Sequence, residues 1–171
     1  MVRRLRCALV LPLLVLTVTL VGAPVAHAAP SAPTEVWAAC GASSPPDKVV
    51  RVFPRTTFAN GPSGNSSALL CGTEGFGYRH VAARHGQDWQ YIAAYSGGNW
   101  RDLTDFAIEQ ILRVPQPGYP RYNAKNDTWV FKAPLEIRDQ EGRVRDVYYP
   151  NVVIAAGDGK IITAFPTRDA A

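Results

Sequence analysis

The chain has 171 residues, with 18 Lys and Arg against 14 Asp and Glu and a formal charge of +4. At 47% apolar and 19% charged residues it is too apolar for a disordered chain, and its composition is not that of a collagen-like or coiled-coil protein. The length fits one domain, and the basic excess points to a nucleic-acid or membrane partner unless the charges are localised.

They are localised. Residues Met1 to Arg6 carry three arginines, an apolar run follows from Cys7 to Val21, and Ala26-His27-Ala28 ends it. This is the pattern of a secretory signal over residues 1–28, too short for a membrane span of roughly twenty residues. Cleavage after Ala28 leaves 15 basic and 14 acidic side chains on 143 residues, with two cysteines and two histidines. The mature chain is therefore expected to be secreted, close to neutral, and without stable membrane association. In an oxidising compartment Cys40 and Cys71 are expected to form a disulfide.

Residues 29–70 read as a Pro/Ser/Ala-rich arm with a short strand near Lys48–Phe53 and a loop over Asn60–Ser67. The domain proper is expected over 71–167, with 168–171 as a tail. Tyr78–Gly86 has helical composition, with Gly86 as its stop. Leu103, Phe106, Ala107, Ile111 and Val114 recur as one buried face of a second helix, with Asp102 as N-cap and Pro115 as terminator. After a loop at 115–122, strand-like runs occupy Thr128–Ala133, Leu135–Arg138, Val144–Tyr149, Val152–Ala156 and Lys160–Phe165, with turns at Gln140-Glu141-Gly142 and Gly157-Asp158-Gly159. Helices followed by strands imply an α+β fold with a twisted antiparallel sheet of about four strands.

The densest chemistry lies in Gly77-Tyr78-Arg79-His80-Val81-Ala82-Ala83-Arg84-His85-Gly86. His80 and Arg84 are one helical turn apart, whereas His80 and His85 differ by about 140° of rotation. Both imidazoles reach one site only if the helix ends or bends before His85. There is no His-Glu-x-x-His and no neighbouring carboxylate pair, so a metal site is not expected. Imidazoles that can both take and give a proton near neutrality, beside guanidinium groups, suit phosphodiester chemistry without a cofactor. Strand alternation puts Trp129, Phe131 and Ala133 on one face and Lys132 on the other. In the last strand Thr163 groups with Ile161 and Phe165, and both faces are apolar enough to leave its direction open. Lys132, Arg145 and Thr163 are thus candidates for the same site, and equally readable as ordinary strand residues.

The segment from Tyr78 to Gly86, the helix through Phe106–Leu112, and the strands ending Lys160-Ile161-Ile162-Thr163-Ala164-Phe165-Pro166 resemble the superfamily of barnase, EndoU, colicin-type and RelE-type ribonucleases, above all its phage and polymorphic-toxin branches. The likeness covers residues 75–167. It implies metal-independent cleavage of RNA by internal attack of the 2′-hydroxyl, leaving a 2′,3′-cyclic phosphate. His80, His85 and Arg84 then form the acid, base and phosphate set, with Thr163 contributing from the closing strand; outside the resemblance, Tyr78 and Arg79 beside the histidines and Arg145 from the strand reading are candidate substrate contacts. RNA is the expected substrate, an immunity protein is a candidate partner, and the chain is expected to be a monomer. The chain has no second Gly-Gly-His element of the EndoU kind, and no barnase-like Glu, Arg and His triad can be placed.

A different reading is a secreted, non-catalytic binding protein on this fold, using Trp89, Trp100, Tyr119 and Tyr122 as recognition aromatics. A glycosidase finds less support: Asp102, Asp105 and Glu109 cluster on the second helix, but Asp105 and Glu109, four apart, read as a solvated face.

Overall fold

Alternating apolar residues in Val49–Pro54 (β1) and Ser66–Leu70 (β2) pair antiparallel and bury Val50, Phe53 and Leu69. The chain is described here from a computed structural model over residues 37–171. The secretory-signal reading and the first residues of the expected arm lie outside the described residues. The loop between β1 and β2 closes around buried Arg55, which donates to the carbonyls of Pro62 and Ser63 and to Ser67 Oγ. Since this hairpin feeds the common core, the arm expected over 29–70 belongs, from Val49 onward, to the domain itself.

The first helix, α1, runs Gly77–Ala93. No side chain caps it. Instead the Arg79 N–H donates to the Cys71 carbonyl at 3.0 Å, and Gly77 starts the helix at φ +76°, where a Cβ would meet the Leu70 oxygen at 2.6 Å. Gly86 does not stop the helix. It sits buried mid-helix facing Trp100, and the helix ends only after Ala93, in a 3-10 turn closed by Gly97 at φ +71°. Val81, Trp89 and Ile92 make the buried stripe of α1.

Helix α2 spans Trp100–Arg113. Asn99, not Asp102, is its N-cap, accepting from the N–H groups of Arg101 and Asp102 as short polar side chains do at helix starts. Its buried face is Thr104, Asp105, Ala107, Ile108, Ile111 and Leu112, while Leu103 and Phe106 are half-buried and Val114 is exposed. The expected stripe was rotated because two of the buried positions are polar.

Six strands follow: β3 (Arg121–Asn123), β4 (Thr128–Lys132), β5 (Leu135–Arg138), β6 (Val144–Tyr148), β7 (Asn151–Ala155) and β8 (Ile161–Phe165). β3-β4-β7-β8 form one antiparallel sheet and β5-β6 a separate hairpin. The fold is α+β with two helices and antiparallel sheets, most strands following the helices. β3 lies where the sequence reads as loop, and β1-β2 precede both helices. One face of the main sheet supplies Phe131, Val152, Ile154, Ile161 and Ala164 to the core beneath α1 and α2. The other face is open.

Candidate active site

Thr163 owes its direction to a bulge. Val153 pairs with Thr163, but Ile154 pairs with Ile161, so Ile162 is an extra residue in β8. Ile161 and Ala164 therefore both point into the core, and Thr163 and Phe165 emerge on the open face. This corrects the grouping of Thr163 with Ile161, which simple alternation requires.

The open face carries a rung of three paired residues, Lys132 on β4, Asn151 on β7 and Phe165 on β8. All three line one cleft of about 640 Å³, with Thr128, Val130, Val153 and Thr163 beside them. Two strand spacings separate Lys132 from Phe165, roughly 10 Å. The rung continues past the sheet edge, since α1 packs along β8 and the His85 ring lies 5.3 Å from the Phe165 ring. Trp89 fixes this approach: its indole N–H, fully buried, donates to the Ala164 carbonyl at 3.0 Å.

His80 and His85 meet although the helix neither ends nor bends between them. Their ring centroids are 5.6 Å apart in an edge-to-face arrangement. Each side chain leans across part of the 140° that separates the two Cα positions. His80 Nδ1 lies 2.6 Å from the Glu74 carbonyl oxygen. A carbonyl only accepts, so Nδ1 carries the proton and Nε2 is left for chemistry. His85, half-buried, has its pKa lowered, first by loss of water and then by the neighbouring His80 and Arg84, with Asp88 opposing. It is held neutral, as a proton acceptor must be. Arg84 is exposed one turn beyond His80 and makes no hydrogen bond or ion pair among the described residues.

The other expected site residues have different work. Arg79 donates to the carbonyls of Gly72, Gly41, Ala42 and Ser44, pinning the segment before β1 to the start of α1. This spends the guanidinium on main chain instead of substrate. Tyr78 is packed with Trp37 and Trp100 and accepts from Arg101 through its hydroxyl. Arg145 lies on β6, outside the main sheet and away from the cleft lining, with its side chain 51% exposed and Asp139 4.0 Å away. Lys132 faces the open side as expected but is not solvated: it is 3% exposed, and its Nζ donates to the main-chain oxygens of Asp169 and Ala171. Thr163 Oγ1 is buried and has no hydrogen-bond partner among the described residues.

Three features escaped the sequence. Asn151 could have been found only from its register with Lys132. Arg51 is buried and bridges Asp105 and Glu109, with Trp37 donating to Asp105, so those acids form an interior ion cluster and not a solvated face. Among the recognition aromatics, Trp89 and Tyr119 are buried and Trp100 half-buried, leaving Tyr122 exposed. Cys40 and Cys71 form a disulfide, their Cα atoms 5.6 Å apart. Among the described residues no group of His, Cys, Asp and Glu is arranged to hold a metal ion, and no helix is long and apolar enough to cross a membrane.

No family model matches the chain, and no solved structure does. Two curated Mycobacterium tuberculosis proteins are similar to it: "Uncharacterized protein MT0764" of strain CDC 1551 / Oshkosh and "Uncharacterized protein Rv0739" of strain ATCC 25618 / H37Rv. Each is 42% identical over 140 residues, which is 77% of this chain and 50% of the relative. The chain spans about half the length of these curated relatives.

Proposed function

We propose that the protein is a secreted, metal-independent endoribonuclease, with residues 75–167 forming a domain of the barnase, EndoU, colicin and RelE type in which helices precede a four-stranded sheet. The observation that carries this reading is the pairing of His80 with His85 and the contact of His85 with Phe165; Phe165 lines the cleft that also holds Asn151, Thr163 and Lys132, while the two histidines stand outside that lining.

In the mechanism this supports, neutral His85 takes the proton of the ribose 2′-hydroxyl as its oxygen attacks the adjacent phosphorus. His80, oriented by the Glu74 carbonyl, delivers a proton from Nε2 to the departing 5′-oxygen. Arg84 offsets the charge growing on the phosphorane oxygens from the helix side, and Thr163 offers its hydroxyl from the sheet side. The products are a 2′,3′-cyclic phosphate and a 5′-hydroxyl, and no electron transfer or metal is involved.

The test is to incubate the oxidised protein with tRNA and total RNA in EDTA and to examine the new ends. Cleavage that leaves 2′,3′-cyclic phosphates and is lost in His80→Ala and His85→Ala supports the reading. Intact RNA with a folded preparation, or cleavage unchanged in both variants, rejects it.

A further inference from the structure

We propose that the cleft around Lys132 binds a backbone phosphate of a nucleotide chain and that the protein's own residues 167–171 occupy it as an inhibitory strap. The inference rests on the nuclease reading for the identity of the ligand, but the strap itself is visible in the geometry. The main chain leaves β8 at Phe165 and bends at Arg168, and Asp169 and Ala171 line the cleft. Lys132 Nζ donates to both of their main-chain oxygens, the Asp169 bond being 3.0 Å long. Gln116 Nε2 donates to the Ala170 carbonyl at 2.9 Å, and the Tyr149 N–H to the Thr167 carbonyl at 2.6 Å.

Two properties make this a replaceable occupant. The strap is Thr-Arg-Asp-Ala-Ala, exposed from Arg168 onward and without a large apolar side chain, so hydrogen bonds and polar contacts alone hold it. Segments held this way open far more readily than a packed core. In addition, Lys132 is a buried ammonium with no side-chain carboxylate within ion-pair distance among the described residues. A phosphate would satisfy the same ammonium donors with ionised acceptor oxygens of its own, pairing opposite charges. The apolar floor of Val130 and Val153 suits a base or ribose, and Thr163 Oγ1, buried without a partner, is a further donor at that floor.

The experiment measures binding apart from cleavage. The probes are inorganic phosphate and a 2′-deoxy dinucleotide, which cannot undergo internal attack, titrated by calorimetry into the full chain and into Gln116→Ala/Arg168→Ala. Gln116 and Arg168 hold the strap without lining the cleft; Arg168 is tied to Asp146 and the Tyr148 hydroxyl. If the strap fills the cleft about nine-tenths of the time, releasing it tightens dinucleotide binding about tenfold. Lys132→Met added to the released variant abolishes that gain, and amide exchange on Asp169 and Ala171 accelerates when the dinucleotide binds. Phosphate alone competing with the dinucleotide locates the contact at the phosphate; a dinucleotide that binds without competition from phosphate overturns the assignment to Lys132. Unchanged affinity in the released variant, with circular dichroism showing an intact fold, overturns the strap. Tightened binding without any RNA cleavage by either form upholds the strap and rejects the nuclease reading instead.

Discussion

The His80 and His85 rings stand 5.6 Å apart on one uninterrupted helix, with His85 turned toward the sheet through Phe165 and His80 tied back to Glu74. The two imidazoles thus have different surroundings. If they act as acid and base, His80→Ala and His85→Ala should each lower kcat/KM for RNA by about 10²–10⁴-fold. Because both rings are part-exposed, thermal unfolding of the variants should stay within about 1 kcal/mol of the parent. An activity loss matched by a collapse in stability would count against a chemical role.

The lowered pKa of His85 sets the sign of the pH dependence. Its base form persists below the ordinary imidazole value of about 6.5, so the acid limb of kcat/KM should fall at a lower pH than that. Removing the charge of His80 moves the limb back upward, which stopped-assay pH profiles of residual activity can follow. Stability follows the same sign: the folded state holds this proton more weakly than the unfolded chain, so the contribution is complete above about 6.5 and lost as pH falls through the folded value. Chemical denaturation of His85→Gln against the parent between pH 5 and 8 should show that difference shrinking on the acid side.

Reduction of Cys40–Cys71 releases a loop of 31 residues' separation, worth about 3–4 kcal/mol in the chain-entropy description. Urea unfolding of the Cys40→Ala/Cys71→Ala variant should show a loss of that order. Arg79→Met should add a smaller loss in the oxidised protein, because its carbonyl contacts hold the same segment.

The ion cluster of Arg51, Asp105 and Glu109 should be costly to break singly. Arg51→Met leaves Asp105, only 2% exposed, without its cation and should destabilise the protein by about 3–5 kcal/mol at neutral pH. Burial already raises the Asp105 pKa against the opposing bonds from Trp37 and Arg51. Without Arg51 it rises further, so the penalty should diminish as the pH falls and Asp105 takes up a proton. A variant whose loss is independent of pH would show that packing of the arginine stem dominates.

Trp89→Phe keeps the ring volume nearly filled but strands the Ala164 carbonyl, a loss of about 1–3 kcal/mol. The same bond sets the spacing between α1 and β8, so RNA cleavage should fall by more than the unfolding data alone explain.

The class of fold and the order of the later strands were legible because period-2 runs separated by Gly-containing turns leave few alternatives, as at Gly157-Asp158-Gly159. The histidine segment stood out for its composition. Two things were not legible. Alternation fails silently at a bulge, so one inserted residue, Ile162, puts Ile161 and Thr163 on opposite faces although alternation groups them. The helix faces were misjudged wherever a polar residue is buried with a distant partner: Asp105 reads as solvated until Arg51, 54 positions away, is known to lie against it. Gly86 also reads as a stop from its residue type alone, yet it lies buried inside α1 beside Trp100, where a Cβ would be in ordinary contact at 3.9 Å.

The placement of α1 along β8 has a consequence for how the molecule behaves in a crowd. An edge strand with open ladder groups invites a strand from another chain, the first step of sheet-to-sheet aggregation. Here one edge strand is β8, whose Ala164 carbonyl is taken by Trp89 of α1, and the other is β3, three residues long and preceded directly by Pro120. The helix that carries the histidines therefore also occupies a main-chain acceptor of an edge strand.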